Sequence, residues 1–233
     1  MGRSLARLFV ERGDWLTVLG RDEEELKRSV ADLQARGGAR VAYAVCDLEK
    51  PDTFASAISE SELQLDGLDT VVVTAGAFAT QDQLEEDAEL TQKVLTLDFA
   101  NTVLFCEEAR KKLLQRGGGT LCVFSSVAGD RARKPVILYG AAKAGLSAYL
   151  EGLDHKYRAQ GLITVCVKPG FVKTGMTEGL KPPPFAGEPD DVARTVLKGL
   201  DAGSPVVYAP PIWRAVMTAI KVLPRFAMRR IKF

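Results

Sequence analysis

The chain has 233 residues, 46% of them hydrophobic and 26% charged, with a formal net charge of +1. That length is enough for one α/β domain with a sizeable core, and the charge balance offers no electrostatic footing for nucleic acid. No apolar run reaches the ~18–20 residues of a membrane-spanning helix, and the first ten residues carry two arginines and no long apolar run, so no leading signal peptide is expected.

The opening MGRSLARLF places Leu5, Leu8 and Phe9 at helical spacing, and Gly13 supplies a stop. A strand is predicted over 15–19, then a helix over 22–36 with Asp22 as its N-cap. The alternation continues with a strand over 40–45, a helix over 51–62, a strand over 70–74 and a long helix over 84–114. Beyond these come a strand over 120–125, a helix over 136–160, a strand over 163–167, a helix over 189–201 and a strand over 205–209. The strands are apolar nearly throughout, as expected for strands covered by helices on both faces. Strand–helix alternation with short connections predicts an α/β fold, a Rossmann-like doubly wound parallel sheet. The Pro-rich stretch over 181–189 reads as a loop. We therefore expect a dinucleotide-binding and catalytic domain over 1–209 and a distinct tail over 210–233.

The four cysteines form no CxxC pair and lie in apolar runs, as reduced core thiols do. His155 is the single histidine, which argues against a histidine-rich zinc site or a Ser-His-Asp triad. No metal site is expected.

The chemistry gathers on a few positions. Tyr139 and Lys143 are four residues apart in a predicted helix, so phenol and ammonium share a face. A cation there is expected to lower the tyrosine pKa toward the working pH. Ser126 ends a strand thirteen residues earlier. Asp47, the Thr74-Ala75-Gly76 turn and the run from Lys168 to Thr174 also fall at predicted carboxyl ends of strands, where open α/β sheets bind ligands.

TAG at 74–76, SSVAG at 125–129, YGAAK at 139–143 and PGFVKT at 169–174, in that order and spacing, resemble the short-chain dehydrogenase/reductase family from residue 2 to about 209. The resemblance implies an oxidoreductase that moves hydride between a nicotinamide cofactor and a carbonyl or alcohol. It implies that Tyr139 exchanges the proton, that Ser126 polarises the carbonyl oxygen, and that Lys143 tunes Tyr139 and binds the nicotinamide ribose. It assigns Asp47 and Leu48 to the adenine edge, Ala75 and Gly76 to close backbone approach, and Pro169, Gly170, Val172 and Thr174 to the nicotinamide end. The family's fourth catalytic position is an asparagine in a pattern close to N-F-x-G-T-V, whereas this chain reads Asp98-Phe99-Ala100-Asn101-Thr102-Val103. Asp98 is expected to keep an acceptor role in a proton relay. Family members often pair through the helices here over 84–114 and 136–160, so a dimer or tetramer is expected.

Gly20 leaves the end of the second family strand uncharged and Arg21 follows, which favours NADP(H) over NAD(H). At the start, only Gly2 corresponds to the family's glycine-rich turn T-G-x-x-x-G-x-G. The resemblance therefore predicts that the first strand and most of the phosphate loop are lacking, from a start assigned too late or a fragment. It further predicts a gap in the sheet and weak NADP(H) binding.

The tail over 210–233 has no acidic residue and carries Arg214, Lys221, Arg225, Arg229, Arg230 and Lys232. Ile212, Trp213, Val216, Met217, Ala219, Ile220 and Leu223 form a wide apolar face before Pro224. It reads either as a helix docked on the core or a second subunit, or as an amphipathic anchor on anionic lipid. The tail and the run from Ser125 to Leu153 are similar to reductases acting on polyprenyl-phosphate keto-pentoses. A lipid-linked keto-sugar is thus the expected substrate, at the cytoplasmic face of a membrane. A soluble reductase of 3-ketoacyl, steroid-like or small keto compounds is the alternative, as is a nucleotide-binding or interaction protein without turnover.

Overall fold

The structure, a computed structural model, describes residues 1–231, so Lys232 of the basic tail lies outside the described residues. The elements follow the predicted order. Helix α1 (Gly2–Arg12) is closed by Gly13, whose left-handed backbone at φ 90° lets its N–H reach the last turn. Strand β1 (Leu16–Gly20) leads into α2 (Glu23–Ala35), where Asp22 accepts a hydrogen bond from the Glu25 N–H as the expected N-cap. Then come β2 (Val41–Val45), α3 (Phe54–Leu65) and β3 (Thr70–Val73).

The long helix predicted over 84–114 is not continuous. It divides into α4 (Gln81–Glu86), α5 (Ala88–Leu95), a π-helical segment (Thr96–Asn101) and α6 (Thr102–Gln115). Asp87 breaks the first junction by capping α5. Strand β4 (Gly119–Phe124), helix α7 (Ile137–Tyr157), strand β5 (Leu162–Pro169), helix α8 (Pro189–Asp201) and strand β6 (Val206–Ala209) complete the alternation. The tail forms α9 (Ile212–Val222) and the short α10 (Arg225–Met228), parted at Pro224.

All strand pairs are parallel, and they form two sheets: β1-β2, and β3-β4-β5-β6. Among the described residues, β1 pairs only with β2 and β3 only with β4. Helices bridge the break on both faces. Leu5 and Phe9 of α1 pack on Phe124, Val165 and Val167 of the larger sheet, while Val10 packs with Leu33 and Val41 at the smaller one. On the opposite face Phe54 and Ile58 join Phe105, Leu113, Leu146 and Leu150 over Leu121 and Val123, with Leu19 of β1 at the margin. Burial of these two layers is the main stabilising term. All four cysteines are buried and unpaired. No helix among the described residues is long and apolar enough to cross a membrane.

Candidate active site

Parallel pairing brings the carboxyl ends of the strands of each sheet to one edge, and the residues singled out above follow those ends. Ser126 comes two residues after β4, and its hydroxyl accepts from the Ala128 N–H at 3.1 Å. Its own proton is left to donate elsewhere. Ser125, which the sequence did not separate from its neighbour, has a different task. Its hydroxyl donates to the Lys143 carbonyl at 2.9 Å and lies 2.7 Å from the Ser147 hydroxyl, fastening the end of β4 to α7.

Helix α7 carries Tyr139 and Lys143 on one face. Its N-terminus has no side-chain cap of its own. Gln81, buried and 56 residues upstream of Ile137, supplies one: its side-chain oxygen accepts from the Ile137 and Leu138 N–H groups at 2.8 and 3.2 Å. This cap holds the turn on which Tyr139 sits. The Phe78 ring meets Tyr139 edge-on, with centroids 5.1 Å apart.

The π-helical turn sets the fourth position. Leu97, Asp98 and Asn101 face inward while Phe99 and Ala100 face solvent. Asp98 is fully buried; its Oδ1 accepts from the Ala77 N–H at 2.8 Å and lies 3.5 Å from Lys143 Nζ, while Oδ2 has no hydrogen-bond partner. Gly76 permits this contact, because a Cβ there would lie 2.7 Å from Asp98 Oδ1 and 3.3 Å from Lys143 Nζ. Lys143 Nζ also donates to the Phe124 carbonyl at 3.4 Å and lies 5.6 Å from the centre of the Tyr139 ring.

The electrostatics correct the expectation that Lys143 lowers the Tyr139 pKa. Tyr139 is half-buried as a residue, but its hydroxyl is set deep in packed protein. Burial pushes the phenol well above the ordinary tyrosine range, the Asp98 charge pushes it further, and only the Ser126 hydrogen bond opposes them. The Lys143 ammonium, 5.6 Å from the centre of the Tyr139 ring, does not outweigh them. Burial likewise raises the Asp98 carboxyl, against the pull of Lys143 and the Ala77 N–H.

The positions assigned to the cofactor line the same edge. Arg21 follows β1, is well exposed and stands 3.5 Å from Glu49. Asp47 and Leu48 follow β2, where the Leu48 carbonyl accepts from the buried Asn101 side chain at 2.6 Å. Asn101 is thus a positioning group that the local sequence did not reveal. Ala75 and Gly76 follow β3. Pro169 ends β5, Gly170 follows it, the Val172 side chain is buried in the core, and Thr174 caps a short 3₁₀ turn. Gly2 heads α1 against Thr74, where a Cβ would come within 2.7 Å of the threonine hydroxyl. These residues fit a nicotinamide dinucleotide at its two ends. At the pyrophosphate the fit rests on Gly2 and the N–H groups of the first turn of α1, which has no side-chain cap.

The tail packs beside the site. Trp213, Met217 and Ile220 are buried with Val127, the residue after Ser126. The apolar stripe available to a lipid surface in the sequence therefore packs inward. Asp130 gathers Lys168 at 2.5 Å, the Tyr208 hydroxyl at 2.7 Å and Lys221 at 3.2 Å. Arg131 donates to the Leu223 carbonyl at 2.8 Å and Lys134 to the Arg229 carbonyl at 2.6 Å.

Comparison with known proteins gives this geometry its class. A family profile described as short chain dehydrogenase matches residues 1–184. The uncharacterized oxidoreductase Rv2073c of Mycobacterium tuberculosis is 30% identical over 231 residues, covering 99% of this chain and 92% of that protein. The 3-oxoacyl-[acyl-carrier-protein] reductase FabG of Chlamydia muridarum is 26% identical over 203 residues, covering 87% of this chain and 79% of its own length. A short-chain type dehydrogenase/reductase from Mycobacterium ulcerans shares the fold, with a TM-score of 0.79 at 23% identity over 89% of this chain and 82% of that one. The chain belongs to the short-chain dehydrogenase/reductase family and is an NAD(P)-dependent oxidoreductase by membership.

Proposed function

We propose that the chain reduces a carbonyl compound with NADPH, with Tyr139 as proton donor. The observation that carries this reading is the convergence of Ser126, Tyr139, Lys143 and Asp98 at the carboxyl edge of the sheet. A phenol held above its usual pKa stays protonated at neutral pH, the state that gives a proton to a carbonyl oxygen. Ser126, its acceptor side engaged by Ala128, would turn its proton from Tyr139 to the same oxygen. Lys143 would bind the nicotinamide ribose, and Asp98 would accept from Lys143 and return a proton toward the site. When bound, the nicotinamide supplies the hydride. Gly2, Arg21, Asp47, Leu48, Ala75, Gly76, Pro169, Gly170, Val172 and Thr174 would hold the cofactor, with Arg21 the residue that favours a 2′-phosphate. The test is NADPH consumption over a panel of carbonyl compounds, beside Tyr139→Phe. Turnover no greater than that of the variant would sink the enzyme reading.

For the substrate we favour a lipid-linked keto-sugar met at a membrane surface by a dimer or tetramer. Support for the surface comes from what α9 and α10 present outward: Ile212, Val222 and Phe226 are exposed beside exposed Arg214, Arg225, Arg229 and Arg230. Sedimentation with anionic vesicles, comparing the chain with Phe226→Asp, tests it. Equal partitioning would remove the membrane from the proposal. The second reading, a soluble 3-ketoacyl reductase, draws on the FabG likeness.

A further inference from the structure

The indole of Trp213 lies directly on the backbone of Gly170. A Cβ at Gly170 would fall within 2.0 Å of the indole nitrogen and 2.3 Å of its neighbouring ring carbon, so no side chain fits there. The same indole N–H donates to the Phe185 carbonyl at 3.3 Å. The ring is buried, in one cluster with Val127, Met217 and Ile220. One side chain from the tail thus touches the turn after β5 and the segment before α8, and shares a buried cluster with the neighbour of Ser126.

The segment between Gly170 and α8 is a loop with a closed base. Val172 bridges to Gly187, the Gly187 N–H donates to the Phe171 carbonyl at 2.8 Å, and the Lys173 N–H donates to the Gly187 carbonyl at 3.0 Å. Pro210 packs on the base from the tail side, within 2.9 Å of where a Gly187 Cβ would lie. Met176 and Phe185 on the loop are exposed. The near limb starts at the positions assigned to the cofactor, and the far limb rests on Trp213.

We propose that Trp213 is a positioning residue for the reaction proposed above: it holds the Gly170 turn and the far limb of the 173–187 loop in place relative to Ser126. Substrate and cofactor ends of the site then depend on a residue outside the segment matched by the family profile, which ends at residue 184. The inference rests on the oxidoreductase reading only for its kinetic arm.

Two variants of the full chain test it. Trp213→Phe keeps a ring on Gly170 and removes the bond to Phe185. Trp213→Ala removes both contacts. Amide hydrogen exchange without cofactor is expected to show faster exchange at 185–187 in both. In steady state, Trp213→Phe is expected to raise the carbonyl KM about three- to tenfold with kcat within about twofold of wild type. Trp213→Ala is expected to lower kcat/KM by about a hundredfold, with phenylalanine recovering most of the loss. Unchanged exchange at 185–187 with both constants preserved would overturn the proposal. So would a loss of kcat that follows the folded fraction at constant KM, the mark of a structural role alone. If the alanine variant does not fold, exchange and KM of the phenylalanine variant decide. Absence of turnover in the wild-type chain would count against the oxidoreductase reading and leave exchange to decide the role of Trp213.

Discussion

Asp98 Oδ1 stands 3.5 Å from Nζ of Lys143, and neither side chain is appreciably exposed. The Asp98 member of the pair adds to the effect of burial on Tyr139, because its charge repels the phenolate. With burial first and Asp98 second, the phenol is held protonated. Reduction needs the phenol and oxidation the phenolate. Wild-type reduction is therefore expected to show no alkaline fall assignable to Tyr139 up to about pH 10, the ordinary tyrosine range. Asp98→Asn removes the anion and frees the Lys143 charge, so the alkaline limb should move down by about one pH unit or more. Oxidation of the corresponding alcohol at neutral pH should rise in the same variant. Rate profiles from pH ~5 to ~10, with Tyr139→Phe as the baseline, check this. A variant profile as flat as that of wild type up to about pH 10 would refute the coupling.

Gly76 gives a steric test of the same cluster. An alanine methyl would sit 2.7 Å from Asp98 Oδ1 and 3.3 Å from Lys143 Nζ. Neither group can retreat to solvent. Gly76→Ala is expected to cost about 1–3 kcal/mol of stability through overpacking. It should also cost more turnover than a surface substitution of equal destabilisation, since it separates the pair that faces Tyr139. Urea denaturation beside kcat reads the two effects. Wild-type stability and turnover together would mean that the close approach is unimportant.

The parts of this site that were legible in the sequence are local. Apolar strands between amphipathic helices gave the α/β order, and Tyr139 and Lys143 are separated by one helical turn. The rest depended on contacts between distant positions. Gln81 caps α7 across 56 residues, and Asn101 reaches Leu48 across 53. Neither contact leaves a periodic trace. The π-helical turn that points Asp98 inward cannot be read from a run with ordinary helical composition. The tail showed its stripe but not what covers it; Val127 does. The sign of the Tyr139 shift was missed because burial and a second charge outweigh the nearest cation, and both are tertiary.

Asp130 ties the tail to the strand that leads into the site. Burial opposes its ionisation, but hydrogen bonds from Lys168, Tyr208 and Lys221 win and hold the carboxyl below its ordinary value. A depressed carboxylate pKa contributes stability that is present above the unfolded value and lost as pH falls through the folded one. Asp130→Asn is thus expected to cost roughly 2 kcal/mol at neutral pH, through loss of charge-assisted hydrogen bonds in a largely buried place. The difference from wild type should shrink below the unfolded carboxyl value of 3.8. Thermal unfolding at pH ~7 and pH ~3 makes the comparison. A destabilisation equal at both pH values would show that charge is not what holds the network.

Cofactor preference is the last consequence of the layout at the strand ends. Arg21, 71% exposed and loosely paired with Glu49, is the expected contact for the 2′-phosphate. Arg21→Ala should weaken NADPH by about tenfold, some 1.4 kcal/mol, and leave NADH within about twofold. Fluorescence titration of both nucleotides against both chains checks this. Equal losses for NADPH and NADH would refute it.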